Sequence, residues 1–246
     1  DLEFDFVFTG KDADNHQMHF YDAAQALVGF ERAISLTNHL LINGEVITQS
    51  PSARGSTQFL LPPEEGSWKA VIGVVFGSAL TVGVASKDSA LGYLAVSALD
   101  YVLQQSLGFE VDFDETLGPQ LKDAWNGGVI PQAPDAERFD SLIEKIEPGL
   151  RSCHRPIVIS ESASNAQVDW SIGSNSGRLD GFFDDQTYEY IARTVRKEDR
   201  SSLNCGFYTA RMKCGNAYMV IKVMKDFRQV HSRAIALECT GFPIME

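Results

Sequence analysis

Asp12, Asp14, His16, His19 and Asp22 fall within the eleven-residue run DADNHQMHFYD. Carboxylates and imidazoles are the ligands a divalent ion takes, and an ion so held could activate water for hydrolysis. His19 and Asp22 stand about one helical turn apart, so they can share a face. The spacing is not H-E-x-x-H. Nor is it a calcium loop, which needs Gly at its sixth position and Glu at its twelfth. The plainer expectation makes Asp12, Asp14 and Asn15 loop and cap residues, whose negative charge suits a helix N-terminus. No metal site and no catalytic residue is therefore assigned. These five residues are the candidates that a metal-dependent hydrolase would need.

Other reactive side chains form no motif. Cys153 adjoins His154, but neighbours in sequence point in different directions, so adjacency does not activate the thiol. Ser160, Ser162 and Ser164 lack the G-x-S-x-G elbow. Cys205 and Cys214 stand nine residues apart, which fits a strand hairpin better than the close ligand pairs of zinc. No G-x-G-x-x-G or Walker loop follows the first strand, and no cofactor is expected.

The C-terminal segment offers a different chemistry. Residues 190–233 carry ten Lys and Arg against three Asp and Glu, a net +7 in a chain of net −12, which leaves −19 elsewhere. In YTARMKC, Arg211 and Lys213 alternate with Met212 and Cys214, so on a strand both cations belong to one face. Lys222 and Tyr218 lie on the next strand-like run. Cations interleaved with aromatics on a small sheet suit a single-stranded nucleic acid. They suit an acidic protein surface equally well, and with so much negative charge in the rest of the chain a protein contact is the leading expectation.

Several elements must position these groups. LEFDFVF alternates as a half-buried strand. Phe20, Ala24, Leu27, Ile34 and Leu41 mark a long amphipathic helix over about residues 18–42, stopped by Gly44. A short strand near Val46–Thr48, the strand TQFLL, the turn PPEEGS and the strand WKAVIGVVF make a small antiparallel meander. Residues 78–107 favour helix, with Leu91, Leu94, Leu99 and Leu103 on one stripe. GGVIPQAPD reads as a linker, and DAERFDSLIEKIEPGL as a short helix ended by Pro148-Gly149. PIVIS, AQVDWSIG, CGFYTARMKCG, NAYMVIKVM and HSRAIALECTG read as strands, interrupted by one helix, DDQTYEYIARTVRKED.

Between Ala70 and Ala85 stand sixteen uncharged residues. A membrane-spanning helix needs about 20, so a buried strand followed by a packed helix pair is the expectation. Gly73 and Gly77 form G-x-x-x-G, a spacing that brings helices together in lipid or in self-association. That keeps two alternatives in view: a self-associating surface, and a membrane-perturbing effector acting through residues 70–105.

Length and composition allow one large domain or two to three smaller ones. Four scattered cysteines without C-x-x-C spacing, and no signal peptide, predict a reduced cytoplasmic protein. The sequence opens on Asp1 without Met, which leaves room for a removed start or a longer parent chain. The run DADNHQMHFYDAAQALVGFERAISLTNHLLINGEV, followed by LPPEEGSW, is similar to a group of bacterial proteins of unassigned function. They share a strand, this long helix, a P-P-x-E-G-S turn, an apolar middle and a small terminal β-domain. The resemblance implies a bacterial or phage-related origin and that order of parts, and no activity.

The expected fold is α+β in three parts: 1–126 with an N-terminal strand-helix-meander and an apolar helical segment, 127–154 as linker and short helix, and 155–246 as a small β-rich module. The expected function is a non-catalytic interaction component of a bacterial or phage-related complex, associating with itself. A nucleic-acid binder working through Arg211, Lys213, Tyr218 and Lys222 is the first alternative. A membrane effector in phage defence is the second.

Overall fold

Leu2, Phe4, Phe6 and Phe8 alternate with Glu3, Asp5 and Val7, and the backbone follows that period. A computed structural model describes residues 2–50, 53–61, 68–76, 85–201, 208–214, 217–223 and 239–240. Strand β1 runs Leu2–Thr9, with its four apolar side chains buried and those between them half-buried. Helix α1 runs Phe20–Asn43, and Gly44 closes it in the left-handed region at φ 69°, its N–H on the Leu40 carbonyl. A side chain at such a φ is strained, which is why glycine marks the stop. The hairpin pair follows as β2, Ser56–Leu60, and β3, Lys69–Phe76.

Helix α2 runs Ala85–Leu107, with Leu91, Leu94, Leu99 and Leu103 all buried. Then come α3, Leu117–Asn126; α4, Ala136–Cys153; and the single turn α5, Arg155–Val158. Strands β4, Asn165–Ile172, and β5, Asn175–Arg178, precede α6, Asp185–Ser201. The sheet order is β2-β3-β1-β4-β5, antiparallel throughout. The fold is α+β, as expected. Helices pack on the face that carries the β1 phenylalanines. There the Phe6 ring lies 4.7 Å from Phe30 of α1 and 5.5 Å from Phe183.

The chain divides into two compact units, Asp1–Arg193 and Thr194–Glu246. The second holds β6, Tyr208–Cys214; β7, Ala217–Val223; and β8, Cys239–Thr240, antiparallel in that order. The boundaries expected at 126 and 154 therefore fall inside the first unit. β4 pairs along its length with β1, and α4 packs along α1, so these parts share one core.

Four local expectations change. PIVIS begins with a helical turn, not a strand, because it continues the direction of α4 and buries Pro156 and Ile157. Val46–Thr48 is irregular chain, and the Thr48 carbonyl accepts from Arg32 Nη2 at 2.7 Å. The described part of 78–107 is one helix, not a pair, and residues 77–84 lie outside the described residues. Helix α4 does not end at Pro148-Gly149. It continues to Cys153. Proline withholds one N–H and crowds the preceding turn. The N–H it withholds is the one that would reach the Glu144 carbonyl; at the next carbonyl, that of Lys145, Arg32 donates from Nε at 3.0 Å and Nη2 at 2.7 Å, tying this turn to α1. Gly149 and its partner Gly29 of α1 are there for proximity: a Cβ on Gly29 would stand 2.1 Å from the Gly149 carbonyl oxygen, and one on Gly149 would stand 3.0 Å from the Gly29 carbonyl oxygen.

Candidate functional site

The acidic and imidazole run splits between two jobs. Gly10, at φ 83°, donates its N–H to Asp14 Oδ1 at 2.7 Å, tying the 3-10 turn Lys11–Asn15 to β1. Asp12 is exposed, and His16 sits at φ 58° as that turn's left-handed cap. His19 precedes α1 in extended conformation and places Nδ1 3.0 Å from Asp22 Oδ2. Asp22 is 2% exposed, and its Oδ1 accepts from Arg155 Nε and Nη2, each at 2.8 Å. Both carboxylate oxygens of Asp22 are thus engaged. Among the described residues no three His, Cys, Asp or Glu gather as ion ligands. Of the metal candidates Asp12, Asp14, His16, His19 and Asp22, the first three belong to the loop, and the last two meet each other beside Arg155. Arg155 stacks over the Tyr21 ring at 5.2 Å.

Sequence reasoning missed Arg155, because 133 residues separate it from Asp22. The available signal was an Asp on the apolar stripe of an otherwise well-patterned helix, where a buried carboxylate demands a cation.

Cys153 and His154 point apart. Cys153 is fully buried and donates Sγ–H to the Ala26 carbonyl at 3.4 Å, and burial holds the thiol far above its ordinary pKa. His154 lies 3.1 Å through Nδ1 from the Leu150 carbonyl and 3.0 Å through Nε2 from Thr187 Oγ1. A carbonyl only accepts, so Nδ1 carries the proton and Nε2 takes the threonine hydrogen. Burial lowers the His154 pKa to about 4.

The sheet face away from the helices has a polar half and an apolar half. Asp5 and Asp169 stand opposite each other in the β1–β4 ladder. Lys69 Nζ reaches Asp5 at 3.2 Å, and Arg178 meets Asp169 at 2.6 Å from Nε and 3.4 Å from Nη2. Asp5, Asp169 and Arg178 border an open groove of 460 Å³ toward β5. On the other half, Phe59 and Val75 are about half exposed. β2 is the outer strand of the described sheet and carries no charge. Its Phe59 and Leu60 are 51% and 66% exposed. Gln58, just before Phe59, turns to the helix side, where it accepts from Ser35 Oγ at 2.9 Å.

Gly73, expected to support helix contact with Gly77, lies in β3 opposite Glu3 and Phe59. Residues four apart on a strand share a face but build no helix groove, so the G-x-x-x-G reading is corrected at Gly73. Gly77 lies outside the described residues. Of the apolar stretch, Ala70–Val74 are buried in the sheet. No helix among the described residues is long and apolar enough to cross a membrane.

In the second unit the hairpin register sets Arg211 opposite Val220, Lys213 opposite Tyr218 and Thr209 opposite Lys222. All four candidates of the basic segment thus fall in one alternating set of ladder positions, Arg211 and Lys213 two residues apart on β6, Tyr218 and Lys222 four apart on β7.

A mixed domain with one helix-covered antiparallel sheet, a sheathed carboxylate–arginine pair and an uncharged outer strand is the class that fold and site define. The chain belongs to the family described as a domain of unknown function, DUF7946, whose model matches residues 4–192. That match closes where the first compact unit does. No curated protein and no solved structure matches the chain.

Proposed function

We propose that the chain is a non-catalytic interaction component of a bacterial or phage-related assembly, and that it associates with a second copy of itself. The observation that carries this is the outer strand Ser56–Leu60, uncharged, with Phe59 and Leu60 both largely exposed. An outer strand offers a row of unpaired N–H and C=O groups, and proteins that stay single blunt it with charge, proline or a bulge. Antiparallel β2–β2 pairing about a two-fold axis satisfies both rows at once and covers the same apolar residues on each copy. The division of charge adds an attraction between copies that salt screens. Residues 1–193 hold twelve Lys and Arg against twenty-eight Asp and Glu, net −16, and residues 194–246 are net +4.

Light scattering of the whole chain across concentration and salt tests this. The expected result is a dimer or larger species that Phe59→Lys or Thr57→Lys returns to single chains with unchanged circular dichroism. A wild-type chain that stays single at every concentration and salt removes the proposal. Association untouched by both lysines removes β2 from it.

The ladder register of Arg211, Lys213, Tyr218 and Lys222 supports a second reading, single-stranded nucleic-acid binding by the β6–β7 hairpin. Its signature is a gel shift at low salt that weakens steeply as salt rises. No shift at low salt ends that reading.

A further inference from the structure

We propose that the cleft where α4, α5 and α6 meet binds a small organic oxyanion, a phosphate monoester or a carboxylate, carried on an apolar stem. The cleft encloses 230 Å³. Two guanidinium groups border it, from Arg151 on the last turn of α4 and Arg155 at the start of α5. Among the described residues no carboxylate lines it, although the unit around it is strongly acidic.

The two arginines differ in how they are held. Asp22 takes Nε and Nη2 of Arg155 at 2.8 Å each, and Tyr21 lies beneath its plane at 5.2 Å. A carboxylate as buried as Asp22 is costly to desolvate and adds little net stability. Its evident effect is to fix the direction of one guanidinium. Arg151 stands 6.0 Å over the Tyr188 ring, and among the described residues it has no carboxylate partner. Tyr188 is itself backed by the buried His154 ring at 5.6 Å. So a half-buried guanidinium with five donors and, among the described residues, no carboxylate partner borders a cleft whose second cation is held in place by Asp22.

Arginine forks match the oxygens of phosphate and carboxylate in pairs, and partial burial strengthens that bond. Beside Ser152 and the Tyr188 ring, the wall is Pro148, Val158 and Ile159, the last 57% exposed. That wall calls for an apolar group attached to the anion. A role for Arg151 limited to the negative end of the α4 dipole would explain its charge, but not the cleft, the missing acceptor or the pre-aimed neighbour.

The whole chain is titrated with phenyl phosphate, benzoate and inorganic phosphate at constant ionic strength, and the unfolding temperature is followed. The expected result is a saturable rise with phenyl phosphate or benzoate at millimolar concentration. Inorganic phosphate, which has no stem to bury, is expected to bind about tenfold more weakly. The better of the two aromatic anions identifies the headgroup. Arg151→Gln abolishes the rise while leaving circular dichroism unchanged. A merely structural Arg151 shifts the baseline temperature and leaves the ligand response intact, which overturns the proposal. So does the absence of a response to all three anions. Equal affinity for phosphate and phenyl phosphate overturns the apolar-stem half. Phe59→Lys leaves the titration unchanged, so this site and the β2 contact stand or fall separately.

Discussion

The two faces of the five-stranded sheet draw on the same strands and solve opposite problems. On the covered face, Phe4 and Phe6 meet Phe30, Phe6 also meets Phe183 and Phe8, and the ring of the buried His154 lies 5.1 Å from Phe183. On the open face, Asp5 and Asp169 stand opposite each other and are held by Lys69 and Arg178. One residue of register separates the two worlds. The difference teaches where stability and where recognition reside. Aromatic burial is paid for in water released, whereas half-exposed ion pairs contribute little and remain available to a partner.

The sharpest way to break the comparison is to empty the covered face. Phe6 is fully buried and its ring neighbours three others at 4.6, 4.7 and 5.5 Å. Phe6→Ala leaves a cavity among rings that cannot all collapse into it, and a loss of about 3–5 kcal/mol is expected in urea unfolding. A loss below about 1 kcal/mol would mean that this face is not the core.

Acid probes the same face from its polar member. His154 is neutral when folded, with a pKa lowered to about 4 by burial, against about 6.5 for the unfolded chain. Between those values the unfolded chain binds the extra proton. Its stabilising contribution is therefore complete above pH 6.5 and is lost as pH falls toward 4, up to about 3 kcal/mol. Burial lowers the pKa of His39 as well, so it adds a loss of the same sign. Urea midpoints measured from pH 7.5 to 4 should fall, and His154→Gln should flatten most of that slope. An unchanged slope in the variant would place the acid sensitivity elsewhere.

How much of this was legible follows the range of the contacts. β1, α1 with its Gly44 stop, the β2–β3 hairpin, β4 and α6 declare themselves through local period and punctuation. What escaped was set by partners far along the chain. Pro148 reads as a helix end until Arg32, 113 residues before Lys145, is seen donating to the Lys145 carbonyl in the turn that Pro148 closes. Gly149 reads as a stop until Gly29 is laid against it. The division at 154 rested on a change of texture toward β. Strand pairing of β4 with β1 overrides it, and sequence texture carries no information about which strand is the neighbour. α3 passed unnoticed, although Leu117 and Leu121, both buried, stand one turn apart. Of the site, the Asp22 carboxylate was visible and its arginine was not. The outer position of β2 is a property of the whole sheet order and cannot be read from STQFL alone.

The open face yields the smallest and most discriminating effect. Arg178 is 58% exposed at its side chain, so losing its ion pair should cost less than about 1 kcal/mol. Yet Arg178→Ala does more than delete one pair. It leaves Asp169 directly across from Asp5, with Lys69 on Asp5, and like charges in that ladder position repel. The penalty should therefore shrink in about 0.5 M salt, where the Debye length falls to roughly 4 Å. It should also vanish when Asp169→Asn is added to Arg178→Ala, because the repulsion leaves with the charge. A double variant no more stable than Arg178→Ala alone, at low salt, would show that Asp5 and Asp169 do not feel each other. The polar half of the open face would then be a set of independent surface pairs rather than one charged row.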